Sequence, residues 1–267
     1  MKVVDVDICD AIGQLHRSIP ASEARIVSLV PSVTELLCDL GLAASIVGRT
    51  GFCIHPADIV HRIPKVGGTK DVNIEKIRAL SPTHLIVNID ENEKPTVDRL
   101  AQFIPNVVVT HPNAPQDNLS LYRLLGNIFQ VPSAADRLIR QFRQALSAMP
   151  EVTHPQKVLY CIWKDPWMTV SADTYIANML RLIAWEVWVP EKNTNRYPVF
   201  DWSADLSAQI DRVLLSTEPY RFTQAHVNEL EQQIGKPVQL IDGEMISWYG
   251  SRAIQGVRYL AGLATMG

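Results

Sequence analysis

Aromatic and basic side chains lie directly after predicted strands in the second half of the chain, at Trp163, Trp167, Trp248, Tyr249 and Arg252. Exposed aromatic rings stack on flat ligands, and an arginine side chain binds a carboxylate or phosphate group through paired hydrogen bonds. These residues therefore predict a binding surface for a flat ligand that carries polar groups. The alternative is that the first two tryptophans fill the core, and for Trp163, at a strand end, it explains the residue equally well.

Cys53 and His55 form a second group, two residues apart in a polar loop. On an extended backbone both side chains point the same way, and a thiolate and an imidazole are common metal ligands. Two ligands do not complete a site, and further donors at His61, Glu91 and His111 have no predicted place beside them. A buried thiol and a histidine that caps the loop are the alternative, so no metal site is predicted.

Two acids occupy comparable places in the two halves of the chain. Glu75 lies in the first turn of a helix that Asn73 is predicted to cap, and Asp205 lies in the stretch WSADLSAQ. Both are expected to be exposed near the tip of a lobe. A carboxylate in a first turn also stabilises the positive end of the helix dipole, which explains Glu75 without any partner.

The common catalytic and nucleotide-binding motifs do not occur in the sequence, which has no GxGxxG, GxxxxGK[ST], GxSxG or HExxH pattern. No nucleophile stands beside a general base, and no catalytic residue is predicted. The net charge of -3 on 267 residues gives no basic field for nucleic acid. The sequence therefore favours a binding protein over an enzyme or a nucleic-acid partner.

Cysteine spacing and the N-terminus bear on the cellular compartment. The four cysteines are scattered, at Cys9, Cys38, Cys53 and Cys161, and indicate neither a disulfide framework nor a structural zinc site. Asp5, Asp7 and Asp10 interrupt the apolar core that a secretory signal requires. No run of about 18 apolar residues occurs either, so neither export nor a membrane span is expected from the sequence itself.

Alternating strands and helices must position the candidate side chains. In the first half, short apolar runs predict strands at residues 25–30, 45–49, 84–89 and 106–110. In the second half, strands are predicted at residues 157–163, 186–189, 211–216 and 237–241. Helical patterns lie between them, the first opened by a capping box of Ser32 and Glu35. Such alternation predicts mainly parallel sheets covered by helices, with binding groups in the loops that follow the strands.

A helix is predicted at residues 133–149, with Ser133 as N-cap and Pro150 as its stop. Its apolar residues recur at steps of three and four, and as a helix it would be roughly 25 Å long. It either covers one sheet or joins two lobes, and the α/β pattern on both sides favours the second. The predicted domains are an N-terminal α/β lobe at 1–132, an inter-lobe helix at 133–149 and a C-terminal α/β lobe at 150–267.

Several stretches together resemble one superfamily. RIVSLVPSVTELLCDLGL, IVGRTGFCIHP, PKVGGTKDVNIEKIRALSPTHLIV and RVLLSTEPYRF are similar to the helical-backbone metal receptors, the substrate-binding proteins of cobalamin and iron-siderophore ABC importers. WKDPWMTVSADTYI and DGEMISWYGSR resemble a branch that is like the cobalamin-binding proteins. The resemblance covers the chain from about Arg25 to its C-terminus.

The resemblance implies a class III substrate-binding fold, which is chelatase-like: two Rossmann-like lobes with parallel sheets, joined by a single long backbone helix, with ligand in the cleft between them. It matches Phe52 and Trp167 to the aromatic residues that contact the ligand from each lobe. It matches Glu75, and more loosely Asp205, to the acids that dock on arginines of the permease. Because one continuous helix resists bending, only small lobe movements are expected on ligand binding.

The expected function is a non-enzymatic substrate-binding protein for ABC-type uptake that encloses a metal chelate, cobalamin-like first and haem or a ferric siderophore next. The predicted ligand contacts are Phe52, Cys53, His55, Trp163, Trp167, Trp248, Tyr249 and Arg252. The alternatives are a chelatase-like metal-tetrapyrrole enzyme, for which only His55 with Glu244 is a candidate pair, and a cytosolic corrinoid carrier or sensor. A monomer without a resident cofactor is expected. The resemblance implies the periplasm, and the missing leader leaves the cytoplasm open.

Overall fold

A computed structural model describes residues 8–191 and 194–266 of the chain. The predicted signal-breaking acids Asp5 and Asp7 lie outside these residues. None of the helices within the described ranges combines the length and apolar character needed to cross a lipid bilayer.

The first sheet is built from the strands β1 (Ile26–Ser28), β2 (Ile46–Arg49), β3 (His84–Asn88) and β4 (Asn106–Thr110). Within the described residues its order is β2-β1-β3-β4, and all pairs are parallel. Ile26 lies opposite both Ile46 and His84. The central strands are buried on both faces, which explains their nearly continuous apolar sequence.

Five helices belong to this first part of the chain: α1 (Pro31–Asp39), α2 (Ala57–Val60), α3 (Ile74–Ala79), α4 (Lys94–Ala101) and α5 (Asp117–Ile128). The predicted cap of α3 is confirmed, since the Asn73 side chain accepts a hydrogen bond from the Lys76 amide at 2.9 Å. The capping box predicted at Ser32 and Glu35 is wrong. Pro31 supplies a preset φ at the first helical position, so α1 begins two residues earlier than a Ser32 cap would give, and Ser32 lies inside its first turn.

Helix α6 spans Pro132–Ser147, close to the predicted helix. Ser133 is not its N-cap, because Pro132 is already helical and loses no hydrogen bond at that position. The buried face carries apolar side chains, at Ala135, Leu138, Ile139, Phe142 and Ala145. The helix therefore has the amphipathic pattern that the sequence indicated.

The second sheet contains β5 (Gln156–Cys161), β6 (Trp185–Val187), β7 (Arg212–Ser216) and β8 (Val238–Ile241), in the parallel order β6-β5-β7-β8 within the described residues. Its helices are α7 (Tyr175–Leu180), α8 (Ala204–Gln209), α9 (Gln224–Ile234), α10 (Gly243–Ser247) and α11 (Ala253–Met266). The order repeats that of the first sheet. The predicted α/β architecture of two parallel sheets is confirmed, although the short helices α2, α8 and α10 were not predicted.

The chain divides into two compact units, and each unit contains several separate stretches of the chain. The first unit holds the described residues up to Pro112, Gln116–Arg143 and Tyr249–Arg252. The second holds Asn113–Pro115, Gln144–Trp248 and the described residues from Ala253 onward. Helix α6 carries the chain from one unit to the other. The domain limits inferred from the sequence stay a prediction.

His84 is a buried ionisable group in the first sheet. Its side chain is shielded from water, its Nδ1 shares a 2.9 Å hydrogen bond with the Thr83 hydroxyl, and its ring meets the Phe129 ring edge-on at 5.1 Å. Burial, with the nearby His16 ring, lowers the pKa of His84 to about 4. The folded protein therefore resists protonation there, while the unfolded chain takes up a proton near pH 6.5.

Acid is expected to destabilise the first unit through His84. Its contribution to stability is intact above the unfolded pKa and is lost as the pH falls. The loss reaches about 3 kcal/mol at pH 4. His84→Gln should remove this part of the pH dependence of urea unfolding between pH 7 and pH 4, whereas His154→Gln, at an exposed position before β5, should retain it. Equal pH dependence in the wild type and His84→Gln would contradict the assignment.

Candidate functional site

Exposed apolar side chains lie at the carboxyl edge of the first sheet. Phe52 is 62% exposed and Ile54 50% exposed in the loop after β2, and Ile89 is 48% exposed after β3. Large apolar side chains this exposed are costly in water, and a group of them at the carboxyl ends of parallel strands is typical of a ligand surface. Phe52 thus stands where the sequence predicted a ligand contact.

The loop that carries Phe52 is fixed from beneath by Cys53. The Cys53 side chain is fully buried, and its sulfur lies 3.1 Å from Thr34 Oγ1 and 3.2 Å from Thr50 Oγ1. Burial raises the pKa of the Cys53 thiol. His55 is half-buried. Cys53 therefore anchors the loop, and the contact of either side chain with a ligand stays a prediction.

Polar side chains extend this edge of the first unit. The His111 Nε2 atom lies 3.4 Å from Asp90 Oδ2, and the Tyr249 hydroxyl donates to Glu91 Oε1 at 2.5 Å. Burial and the Glu91 charge hold the pKa of Tyr249 well above its usual range. Asn92 donates to two loop carbonyls, so it holds neighbouring loops together. This edge is acidic and internally braced.

The Tyr249–Arg252 segment is packed into the first unit rather than exposed. Tyr249 is only 6% exposed. The Gly250 amide donates to Asn118 Oδ1 at 2.6 Å, and the Gly250 carbonyl accepts from the Tyr122 hydroxyl at 2.8 Å. Gly250 has φ +80°, and an added Cβ would approach the Ser32 carbonyl to 3.2 Å, so glycine suits this close contact.

Arg252 is paired within the same unit. Its Nε and Nη2 atoms donate to the two carboxylate oxygens of Glu35 at 2.8 and 2.7 Å. Both side chains are largely buried, at 10% and 14% exposure. The arginine that the sequence offered to an anionic ligand is thus held by a carboxylate of α1. Trp248 is also buried, at 8% exposure, so the expectation of exposed aromatic side chains here is not met.

An aromatic cluster occupies the carboxyl edge of the second sheet. Trp167 stacks on Phe222, with ring centres 5.7 Å apart and planes at 11°. It also meets Trp202 at 5.5 Å and Phe200 at 6.2 Å. Trp163 is 40% exposed and meets the Tyr220 ring edge-on at 5.5 Å. Trp163 is therefore the more exposed of the two rings, whereas the half-buried Trp167 is packed within the cluster.

Charged groups surround this cluster. The Lys164 ammonium lies 5.8 Å from the Trp167 ring centre and 3.8 Å from a carboxylate oxygen of Glu229. Glu218, after β7, accepts a hydrogen bond from the Ser247 hydroxyl. Burial, together with the nearby Glu244 and Asp242 charges, raises the pKa of the Glu218 carboxyl, while the Ser247 hydrogen bond opposes the shift.

The two predicted docking acids are exposed. Glu75 lies in the first turn of α3, and its side chain, 82% exposed, is 3.8 Å from Arg78. Asp205 lies in the first turn of α8, which the Ser203 hydroxyl caps by accepting from the Leu206 amide at 3.1 Å. Each acid therefore stabilises a helix start, and each is accessible to a partner.

Among the residues that the structure describes, no three His, Cys, Asp or Glu side chains lie together in a way that would hold a metal ion. A cavity of about 320 Å³ lies beside the edge strand β4 of the first sheet, and its lining includes Cys9, Asp10, His111 and Asp117. It contains none of the predicted ligand contacts.

Sequence reasoning missed several residues at these edges, namely Ile54, Ile89, Trp202 and Tyr220. Tyr220 follows β7 in STEPYRF, so the rule that selected Trp163 would have found it. The aliphatic residues carried no signal, because an apolar side chain near a strand end is usually core.

The comparisons with known proteins decide the family. A model of the periplasmic binding protein family matches residues 26–235. The chain belongs to the periplasmic binding protein family. Membership implies a small-molecule ligand and a permease partner, and members of the family are binding proteins rather than enzymes.

Two similar proteins show the range of relatives. An uncharacterised ABC transporter substrate-binding lipoprotein, YvrC of Bacillus subtilis, is 25% identical over 97% of this chain and 85% of its own length. A vitamin B12-binding protein of Photorhabdus laumondii is 21% identical over 64% of this chain and 63% of its own length, so the match spans less than two thirds of that relative.

Solved structures support the fold of this family member. The periplasmic vitamin B12 binding protein BtuF of Vibrio cholerae has a TM-score of 0.76 at 17% identity, covering 91% of this chain and 97% of that one. The periplasmic heme-binding protein RhuT of Roseiflexus has a TM-score of 0.74 at 18% identity, covering 90% and 99%. The predicted class III binding-protein fold is confirmed.

Proposed function

We propose that this protein binds a flat metal chelate, a cobalamin-like corrinoid first and haem or a ferric siderophore next, and delivers it to an ABC importer outside the cytoplasm. The observation that carries the proposal is the exposed aromatic ring at the carboxyl edge of each sheet, Phe52 in the first unit and Trp163 in the second. Aromatic faces of this kind bind the broad apolar surface of a macrocycle.

Both rings stand on braced loops, which favours tight binding. The Phe52 loop is pinned by the buried Cys53, and the Gly51 amide donates to the Gly67 carbonyl at 2.7 Å. Trp163 stands on a tight turn in which the Met168 amide donates to its carbonyl at 3.1 Å. A contact side chain that is already ordered loses less conformational entropy when the ligand arrives.

The relatives support a metal chelate as ligand. The names of the similar proteins include vitamin B12-binding and heme-binding proteins. Vitamin B12 and haem both consist of a flat macrocycle around a metal. No comparison favours the chelatase-like enzyme, for which His55 and Glu244 were the candidate pair. We therefore propose binding and delivery alone.

Ligand titration tests this proposal. Cyanocobalamin, haemin and a ferric chelate are each added while tryptophan fluorescence and the visible spectrum are followed. Phe52→Ala and Trp163→Ala should each weaken binding of the accepted ligand by about 1 to 3 kcal/mol through loss of ring contact. Leu15→Ala, which trims a 75% exposed apolar side chain outside the two loops that carry the rings, is the control. The proposal fails if none of the three ligands gives a saturable change.

We further propose that Glu75 and Asp205 dock on basic residues of the permease. Both are exposed acids in first helical turns, one in each unit. Glu75→Lys should lower uptake by at least about tenfold in vesicles that contain the permease, because a like-charge contact costs several kcal/mol, and ligand affinity should not change. Glu151→Lys, another exposed site, is the control. Normal uptake with Glu75→Lys would reject this docking surface.

A further inference from the structure

The exposed Phe52 ring lies against a turn that precedes α3. This turn, residues 67–72, is closed by the Gly68 amide, which donates to the Asp71 carbonyl at 2.6 Å, and by a bridge between Gly67 and Val72. A Cβ atom added to Gly68 would meet Phe52 Cε2 at 3.4 Å, before any other atom beyond its two chain neighbours. The Phe52 ring therefore fills the space into which a side chain at position 68 would extend.

Hydrogen bonds to two neighbouring loops fix this turn independently of the ring. The Gly51 amide donates to the Gly67 carbonyl at 2.7 Å, and the Asn92 side chain donates to the Thr69 carbonyl at 2.9 Å. Gly67 has φ +118°, and an added Cβ there would overlap the Asp71 carbonyl, so this corner of the turn requires glycine. Because the turn is tied to the loops after β2 and β3, a new side chain at position 68 would move the exposed ring rather than the turn.

The backbone at position 68 does not itself require glycine. Unlike Gly67, Gly68 has no left-handed φ, so a side chain causes no backbone strain there. An alanine Cβ, 3.4 Å from the ring and 3.6 Å from the Asp71 carbonyl oxygen, would make ordinary van der Waals contacts. The γ-methyl groups of valine extend beyond that Cβ on two sides and leave the ring too little room. The ring is therefore what restricts the size of the residue at position 68.

We propose that Gly68 is a positioning residue for the ligand site: because it carries no side chain, the Phe52 ring settles on the 67–72 turn in the orientation that contacts the ligand. This role rests on the proposed function, in which Phe52 is one of the two aromatic contacts. A ring that leans on a fixed turn has fewer orientations to lose on binding than a freely exposed one. Gly68 thus contributes to affinity through Phe52, without contact of its own with the ligand.

Two substitutions at position 68 give a graded test. Affinities for cyanocobalamin, haemin and a ferric chelate are measured by tryptophan fluorescence. For the ligand that binds, Gly68→Ala should stay within about twofold of the wild type, whereas Gly68→Val should bind about tenfold more weakly because it displaces the ring. Gly262→Val in α11, where an added Cβ meets no atom within 4 Å, is the matched control and should bind as the wild type does.

The same substitution in a protein without the ring separates positioning from direct contact. In the Phe52→Ala background, Gly68→Val should change the affinity by less than about twofold, because no ring remains to be displaced. An equal loss of affinity in both backgrounds would overturn the positioning role, since valine would then act on the ligand or on the loop instead of on Phe52.

The position of the ring is also measured without ligand. Nuclear Overhauser effects between the Gly68 α-protons and the Phe52 ring protons are expected in the wild type and should weaken in Gly68→Val. Their absence in the wild type overturns the proposal, even if Gly68→Val fails to fold.

The outcomes separate this proposal from the proposed function. If a chelate binds the wild type and binds Gly68→Val equally tightly, the positioning role is overturned and chelate binding stands. If cyanocobalamin, haemin and a ferric chelate all fail to bind the wild type, the proposed function is overturned and the role of Gly68 in binding with it.

Discussion

Arg252→Ala is expected to lower the free energy of unfolding of the first unit by about 3–5 kcal/mol. The guanidinium makes two short hydrogen bonds to Glu35, and both side chains are largely shielded from water. Its removal leaves the Glu35 carboxylate buried without its counter-charge. Urea denaturation, with hydrogen exchange of the amides in α1, measures the loss where it occurs.

Two further variants give this prediction its controls. Arg258→Ala removes an exposed arginine of α11 and should change the free energy of unfolding by less than about 0.5 kcal/mol. The double variant Arg252→Met with Glu35→Met should recover most of the stability, because apolar side chains of similar size need no charge partner. A loss below about 1 kcal/mol in Arg252→Ala would mean that the pair is hydrated and unimportant for stability.

Trp167→Ala is expected to destabilise the second unit by about 3–5 kcal/mol, as truncations of well-packed aromatic side chains do. Its ring stacks on Phe222 and meets Trp202 and Phe200, so the deletion opens a cavity within the aromatic cluster. Chemical denaturation followed by tryptophan fluorescence at the remaining tryptophans reports the change. Loss of ligand binding in this variant would then have two explanations, unfolding of the second unit and loss of a ligand contact.

Trp163→Ala resolves that ambiguity. Its ring is 40% exposed and has one edge-on contact, with Tyr220, so its truncation should cost only about 1 kcal/mol of stability. Trp167→Phe keeps an aromatic ring in the cluster and should retain most of the stability. If Trp167→Ala unfolds no more readily than Trp163→Ala, the aromatic cluster does not stabilise the second unit. Trp167 is then again a candidate for direct contact with the ligand.

The strands were predictable because their buried sequence leaves few alternatives. β4 was predicted at the residues where it occurs, Asn106–Thr110, and the other strands within a few residues. The short helices α8 and α10 were not, since too few residues are involved for a helical period to be visible. Their starts are fixed by local caps, Ser203 and Asp242, whose partners are known only from the structure.

The candidate site was predictable only where exposure follows from local sequence. Phe52 was matched to a ligand contact through the family resemblance, and its exposure agrees with its place in a polar loop directly after β2. Trp248, Tyr249 and Arg252 have the same local signature, yet Trp248 and Tyr249 are buried and Arg252 is paired. Tyr249 and Arg252 bind Glu91 and Glu35, which lie far away in the sequence. A single sequence contains no signal for such distant pairing.

The Tyr249–Arg252 segment also dictates when the first unit can finish folding. The sheet and α1 are synthesised early, but the groups that bind Glu35, Asn118 and Tyr122 emerge only after the whole of Gln144–Trp248 has been made. Until then, the nascent first unit exposes an unfilled surface to chaperones and proteases. A fragment that ends at α6 would carry the same gap permanently, so this unit cannot be produced in its native form by cutting the gene at the connecting helix.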